Sequence, residues 1–155
     1  MLEIPVKKKA ALFLYYFLSW TWGLPMSLTG AAVLFVLRLC GKRIRRFGLC
    51  FYAEIGKDWG GLELGMFFLK DTNPHRHIYL HEAGHSIQNI CYGPLMPFLI
   101  TLPSAARYWY REIRRRRGIT PATRYEDIWF EAQATRWGYR CFAGSLPPSS
   151  PTTKK

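Results

Sequence analysis

Residues Ala10–Leu37 form an uncharged run of 28, AALFLYYFLSWTWGLPMSLTGAAVLFVL, and no other feature constrains the fold of this chain so strongly. About 20 apolar residues suffice to cross a bilayer. The run is too long for the apolar core of a signal peptide, so it is expected to be a retained membrane segment. Its middle is unlike a simple span. Pro25 lacks a backbone donor and its ring crowds the preceding turn, so a helix must kink or break there. Trp20 and Trp22 favour the water–lipid boundary over the bilayer centre. Three arrangements fit: a single kinked span, a re-entrant helical hairpin that turns at WGLP with halves of about 13 residues, and a helix pair buried in a soluble core. Lys7, Lys8 and Lys9 precede the run, and Arg38, Lys42, Arg43, Arg45 and Arg46 follow it. Basic residues at both ends leave a single span unoriented and suit a hairpin with both ends in the cytoplasm.

The same excess of cations runs through the whole chain. Lys and Arg number 22 against 10 Asp and Glu, a formal charge of +12. That imbalance favours an anionic partner: phospholipid headgroups, nucleic acid or an acidic protein. Cys40, Cys50, Cys91 and Cys141 contain no CxxC pair, which argues against a cysteine zinc site. Their spacing closes no short loops, so four reduced thiols are expected.

Beyond the basic flank the texture changes. Asp58–Gly61 is turn chemistry, and Leu62, Leu64 and Met66 alternate with Glu63, Gly65 and Phe67. Period two predicts a short β-hairpin over about residues 50–70. Asn73 and Pro74 read as the cap and first turn of a helix over His75–Cys91, which Gly93-Pro94 ends. On that helix lies LHEAGHS, residues 80–86. Residues four apart share a helix face, so His81 and His85 can grip one ion together. Zinc accepts neutral imidazole nitrogens and keeps an open position where it is catalytic. Glu82 projects beside the pair, where a general base for a metal-bound water would stand. Gly84 leaves one side of the helix bare, so another segment can come close. Set against this, HExxH also arises on ordinary polar helix faces. His75 and His77, before the motif, read as a solvated helix start.

A third ligand must come from the few downstream acids. Glu112 sits among arginines in YREIRRRRG and pairs with them. Glu126 stands three residues after Thr123, the spacing of a capping box, with Asp127 beside it. Glu131 falls in mid-helix beside Ala132 and Ala134, in a helix that Gly138 is expected to end. It is the residue chosen for the third ligand, the alternative being a surface glutamate.

Four stretches carry a resemblance: WGLPMSLTG, IGKDWGGLELGMFF, HEAGHSIQNICYGPLM, and LPS followed by FEAQATRWG. In this order they resemble a small family of uncharacterised bacterial membrane proteins with a zincin-type HExGH motif. The resemblance implies that His81, Glu82, His85 and Glu131 form a zincin centre of the glutamate-ligand kind. In such centres an aspartate four residues after the ligand glutamate often orients a histidine. Thr135 takes that place here, bringing a hydroxyl without the negative charge.

Between the two helices, YGPLMPFLITLPSAA is broken by prolines at 94, 97 and 103 and is too short to cross a membrane. Ser104 reads as the cap of the next helix. There Tyr108, Trp109 and Tyr110 precede Arg111 and Arg114–Arg117, a pattern suited to lipid headgroups, to a solvated helix end, or less well to nucleic acid. The expectation is therefore a mainly α, α+β protein: a basic N-terminus (1–9), a membrane segment (10–39), a minimal zincin-like domain with a small β-hairpin (40–142) and a disordered tail (143–155). It predicts a zinc-dependent, peptidase-like hydrolase at the bacterial inner membrane, its site on the cytoplasmic side. Zn²⁺ is the cofactor, anionic lipids are partners, and a peptide or protein is the substrate. Metal-activated water attacks a carbonyl, Glu82 moves the proton, residues 62–68 hold an extended peptide, and Tyr125 or His77 supplies a transition-state hydrogen bond. The competing reading is a membrane-associated interaction protein with a structural or vestigial zinc site.

Overall fold

Pro25 does break the apolar run. The computed structural model, which describes residues 6–73, 75–119 and 128–146, divides it into α1 (Val6–Trp20) and α2 (Leu24–Leu39). The two helices meet at a bend of 85°. Pro25 sits in the first turn of α2, where its missing N–H costs nothing. No single helix is long and apolar enough to cross a membrane, though the bent pair together meets the length and composition of a span. Both helices lay one stripe on the rest of the molecule, burying Tyr15, Ser19, Met26, Ser27 and Leu34. They leave Phe13, Phe17, Trp22, Leu28, Phe35 and Val36 exposed.

The expected single hairpin over 50–70 is a four-stranded mixed sheet. Strands β1 (Ile44–Phe47), β2 (Cys50–Glu54), β3 (Gly61–Leu64) and β4 (Phe67–Lys70) lie in the order β1-β2-β4-β3. The β1–β2 and β3–β4 pairs are antiparallel hairpins, and β2 joins β4 in parallel. IRRF was hidden in the basic flank because β1 is an edge strand, and charged residues on an edge discourage pairing with a further chain. Asp58–Gly61 is the connection between the hairpins, with Asp58 at φ 58° and Gly60 at φ 95°.

Both faces of the sheet are covered. Cys50, Tyr52 and Phe68 face α1 and α3 (Arg76–Tyr92), packing with Tyr15, Leu80 and Ala83. Ala53 and Leu69 face the other way, packing with Met26, Leu34, Met96 and Ile100. Glu63 departs from the alternation read in the sequence: it is buried and Leu62 is 38 % exposed. Its Oε1 accepts the Gly65 N–H at 2.5 Å, tying down the β3–β4 turn.

Asn73 does not cap α3. Its side chain donates to Asp58 and Asp71, His75 takes the cap position without a side-chain bond, and Pro74 lies outside the described residues. Lys70 is fully buried and holds this connection: its Nζ donates to the Asp71 carbonyl, to the Asn73 carbonyl at 2.9 Å and to Glu54 at 3.4 Å. Gly93, at φ 53°, ends α3 as expected. The proline-broken link continues as a 3₁₀ turn (Gly93–Leu95) and a π turn (Pro97–Thr101) into α4 (Leu102–Arg116). Ser104 therefore lies inside α4 rather than capping it.

The last helix, α5 (Trp129–Phe142), crosses α3. Gly138 does not end it, because the crossing needs a glycine there. A Cβ on Gly138 would lie 1.8 Å from the Leu80 carbonyl oxygen, and one on Gly84 would lie 1.8 Å from the Ala134 carbonyl oxygen. Each helix thus sets a bare backbone against the other's carbonyl. Gly138→Ala is expected to lower the unfolding free energy by at least about 2 kcal/mol, since a methyl there forces two backbones apart. Denaturant melts of the detergent-solubilised protein read this, and a wild-type midpoint would mean that the helices do not touch at Gly138.

Candidate metal centre

The α3–α5 crossing delivers one acid to two imidazoles. Glu131 stands in the first turn of α5, not in mid-helix, and is fully buried. Its Oε2 lies 3.0 Å from His81 Nε2 and 3.3 Å from His85 Nε2. The two Nε2 atoms are 3.2 Å apart. These three residues are the metal-capable group among the described residues. Donors about 2.0–2.1 Å from a tetrahedral zinc stand about 3.3 Å from one another, so the triangle has the size of one tetrahedral face.

The surrounding hydrogen bonds test whether lone pairs point inward. Gln88 Nε2 donates to the Phe130 carbonyl and to Gln133 Oε1, each at 2.8 Å. Its Oε1 can then only accept, and it faces His85 Nδ1 at 2.7 Å. Nδ1 therefore carries the proton, and the Nε2 of neutral His85 presents a lone pair toward Glu131 and His81. His81 Nδ1 meets Thr135 Oγ1 at 2.9 Å, and a hydroxyl serves either tautomer. Ser104 Oγ donates to Glu131 Oε1 at 2.5 Å, leaving Oε2 for the histidines. A carboxylate and imidazole lone pairs converging in a buried site need a proton or a cation between them, and the donor set fits Zn²⁺.

Glu82 is buried beside the triangle, against the edge strand: a Cβ on Gly61 would meet its Oε1 at 2.4 Å. Burial pushes its carboxyl up from the ordinary range. Glu63 is pushed well up by the same cause. For Glu131 burial acts upward too, but its hydrogen bonds to His81 and His85 outweigh it and hold the carboxyl low. For His85 burial disfavours the charged ring, yet Glu131, Glu82 and Glu63 override it and push the imidazole up to about 9.

A cavity of about 680 Å³ opens over His81, Glu82, His85 and Glu63, lined also by Gly61 and Leu62 of β3, by Trp59, Gly60 and Ile78, and by α4. His77 is on its wall, its ring centroid 5.7 Å from that of His81, while His75 stays at the helix cap. Tyr125, Glu126, Asp127 and the Thr123 capping box lie outside the described residues. Glu112 pairs with Arg115 and Arg116, as expected. Sequence reasoning missed Glu63, Gln88 and Ser104. Only Gln88 left a signal, three residues after His85 on the same helix. No protein-family model, curated protein or solved structure matches the chain.

Two outcomes follow for the metal-free protein. The raised imidazole stabilises the fold fully below its usual pKa of about 6.5 and loses that effect as pH climbs through about 9. The lowered carboxyl stabilises above its usual value of about 4.5 and loses the effect in acid. The buried Glu82 and Glu63 carboxyls, both raised, stabilise most below about 4.5 and lose that effect as pH rises, so stability of the metal-free protein should peak near the acid end of the window between about pH 4.5 and 6.5, and zinc added at pH 7 should expel a proton, read by calorimetry in buffers of different ionisation enthalpy. Zinc uptake without proton release would contradict the assignment. Separately, Gln88→Leu should weaken zinc about 10–100-fold by removing the acceptor that orients His85, measured by competition with a chelator.

Proposed function

We propose that this protein is a membrane-associated, zinc-dependent hydrolase of peptidase type, built as a minimal zincin-like domain on the bent helix pair. The observation that carries this reading is the convergence of Glu131, 46 residues after His85, on His81 and His85, two imidazoles that line a cavity together with Glu82. The resemblance to bacterial membrane proteins with an HExGH motif points the same way.

His81 Nε2, His85 Nε2 and Glu131 Oε2 would hold the ion. A bound Zn²⁺ supplies Lewis acidity, polarising a carbonyl and making a water acidic near neutral pH. Glu82 takes a proton from the attacking water as its oxygen bonds to the carbonyl carbon, then passes it to the leaving amine as the C–N bond breaks. Strand β3 stands at the sheet edge against the cavity, so its free backbone groups can hold an extended substrate by strand addition. His77, on the cavity wall, would donate a hydrogen bond to the developing oxyanion.

The test separates binding from turnover. Glu82→Gln should keep one zinc per chain while peptide hydrolysis falls by about 10²–10⁴-fold. His85→Ala should lose both. Negligible zinc in wild type and His85→Ala alike overturns the reading, and unchanged function in Glu82→Gln assigns the ion a structural role in an interaction protein instead.

A further inference from the structure

The segment Gly93–Arg116 has two sides with opposite exposures. One side walls the cavity through Ile100, Thr101, Ser104, Ala105 and Tyr108. The other is bare: Leu95, Phe98, Leu99, Leu102 and Ile113 are 44–68 % exposed. No residue of α4 is buried. Scattered apolar residues on a surface need no explanation, but five on one 24-residue segment beside a cavity form a patch of the kind that binds something.

Two observations say what covers it. The first is continuity with the apolar helix pair. The Trp22 indole lies on Gly93, where a Cβ would meet its Nε1 at 2.3 Å. The exposed Trp20, Trp22, Leu24 and Leu28 at the α1–α2 bend thereby join Leu95 at the start of the segment. The second is charge. α4 carries five arginines against the single Glu112, which is paired with two of them at 2.8 and 2.9 Å. Aromatics followed by arginines match a boundary of acyl chains and anionic headgroups.

We propose that this wall docks on an anionic phospholipid bilayer and that the centre draws its substrate from that surface: a polypeptide tethered to the membrane. The substrate class rests on the hydrolase reading above; the docking does not. One helix, about 10–12 Å across, separates the bilayer from the cavity. An extended chain advances about 3.3 Å per residue, so the bond cut lies about three to four residues from the tether. Soluble peptides lack this delivery and are poor substrates.

Two measurements on the full chain test this. Nitroxide labels at Phe98→Cys, Leu99→Cys or Leu102→Cys, with Cys40, Cys91 and Cys141 changed to Ser, are read in phosphatidylglycerol–phosphatidylcholine nanodiscs. Greater accessibility to oxygen than to a soluble nickel complex is expected; the reverse overturns the docking. That readout is independent of zinc and of turnover. A quenched peptide carrying a palmitoyl tether in vesicles should be cleaved about a hundredfold faster than the same peptide in solution, by effective concentration. The double change Phe98→Asp, Leu99→Asp should erase the difference while zinc content stays. Equal rates in the wild type overturn the substrate class. Lipid-facing labels without cleavage of either peptide refute the hydrolase and its substrate class, and leave the bilayer contact standing.

Discussion

The contact between Gly84 and Gly138 sets the geometry of everything else. Two helices ordinarily pack with axes 8–10 Å apart, held off by side chains. Here each helix places a glycine under the other's carbonyl, at Ala134 and Leu80, and the separation shrinks to what bare backbone allows. Glutamate is short. Only from a helix this close can Glu131, in the first turn of α5, reach two imidazoles on α3 with a single oxygen. Gly84 sits between His81 and His85 in sequence, so the bare patch and the imidazoles share one turn of the same helix. The glycines cost the helices some intrinsic propensity, about 1 kcal/mol each, and the approach they permit offsets it through the contacts of Phe130, Ala134 and Phe142, all buried.

What that approach buries is mainly polar, and burial of polar groups is costly unless each finds a partner. The centre meets the requirement by a chain of bonds running outward. Glu131 is held by Ser104, His85 by Gln88, and Gln88 by the Phe130 carbonyl and Gln133, which also accepts from Tyr92. A second network, Tyr15–Ser86–Cys50, pins α1 and β2 to the same helix on its other side. Burial pushes the Cys50 thiol up to about 11, so it serves as a weak donor and not as a nucleophile. The histidine helix is thus fixed from two directions by groups that tolerate few other arrangements.

Sequence patterns revealed these features unevenly, for physical reasons. Local chemistry was legible: Pro25 broke the run, Gly93 ended α3, and the four-residue spacing put His81 and His85 on one face. Glu131 does come to the two imidazoles, but in the first turn of its helix, because Ile128 is extended and α5 starts only at Trp129. Gly138 was misread as a stop because glycine signals a helix end and a close crossing with the same letter, and only the partner helix distinguishes them. Strand β1 was masked by its arginines, which an edge strand accepts and a central strand would not. The alternation said nothing of burial on the polar side of β3: both faces of the sheet are covered, so Leu64 packs in the core and Glu63 is buried beside the cavity.

The bend and the centre are also one mechanical unit. Asn89, two helical turns past Glu82 on α3, donates to the Gly23 carbonyl at the bend at 3.3 Å, and Gly23 has no room for a Cβ against that amide. On α2, Gly30 presses on the Leu64 carbonyl, and Ser27 on Gly65, the residue whose N–H holds Glu63. The apolar helices therefore touch both walls of the site: α3, which bears the imidazoles, and the β3–β4 turn, which bears the edge strand. At Gly30 and Gly65 the approach is made at bare backbone, with no side chain of the glycine to give way. The break at Pro25 thus does more than end a helix: it fixes the angle at which the apolar segment holds the two walls together.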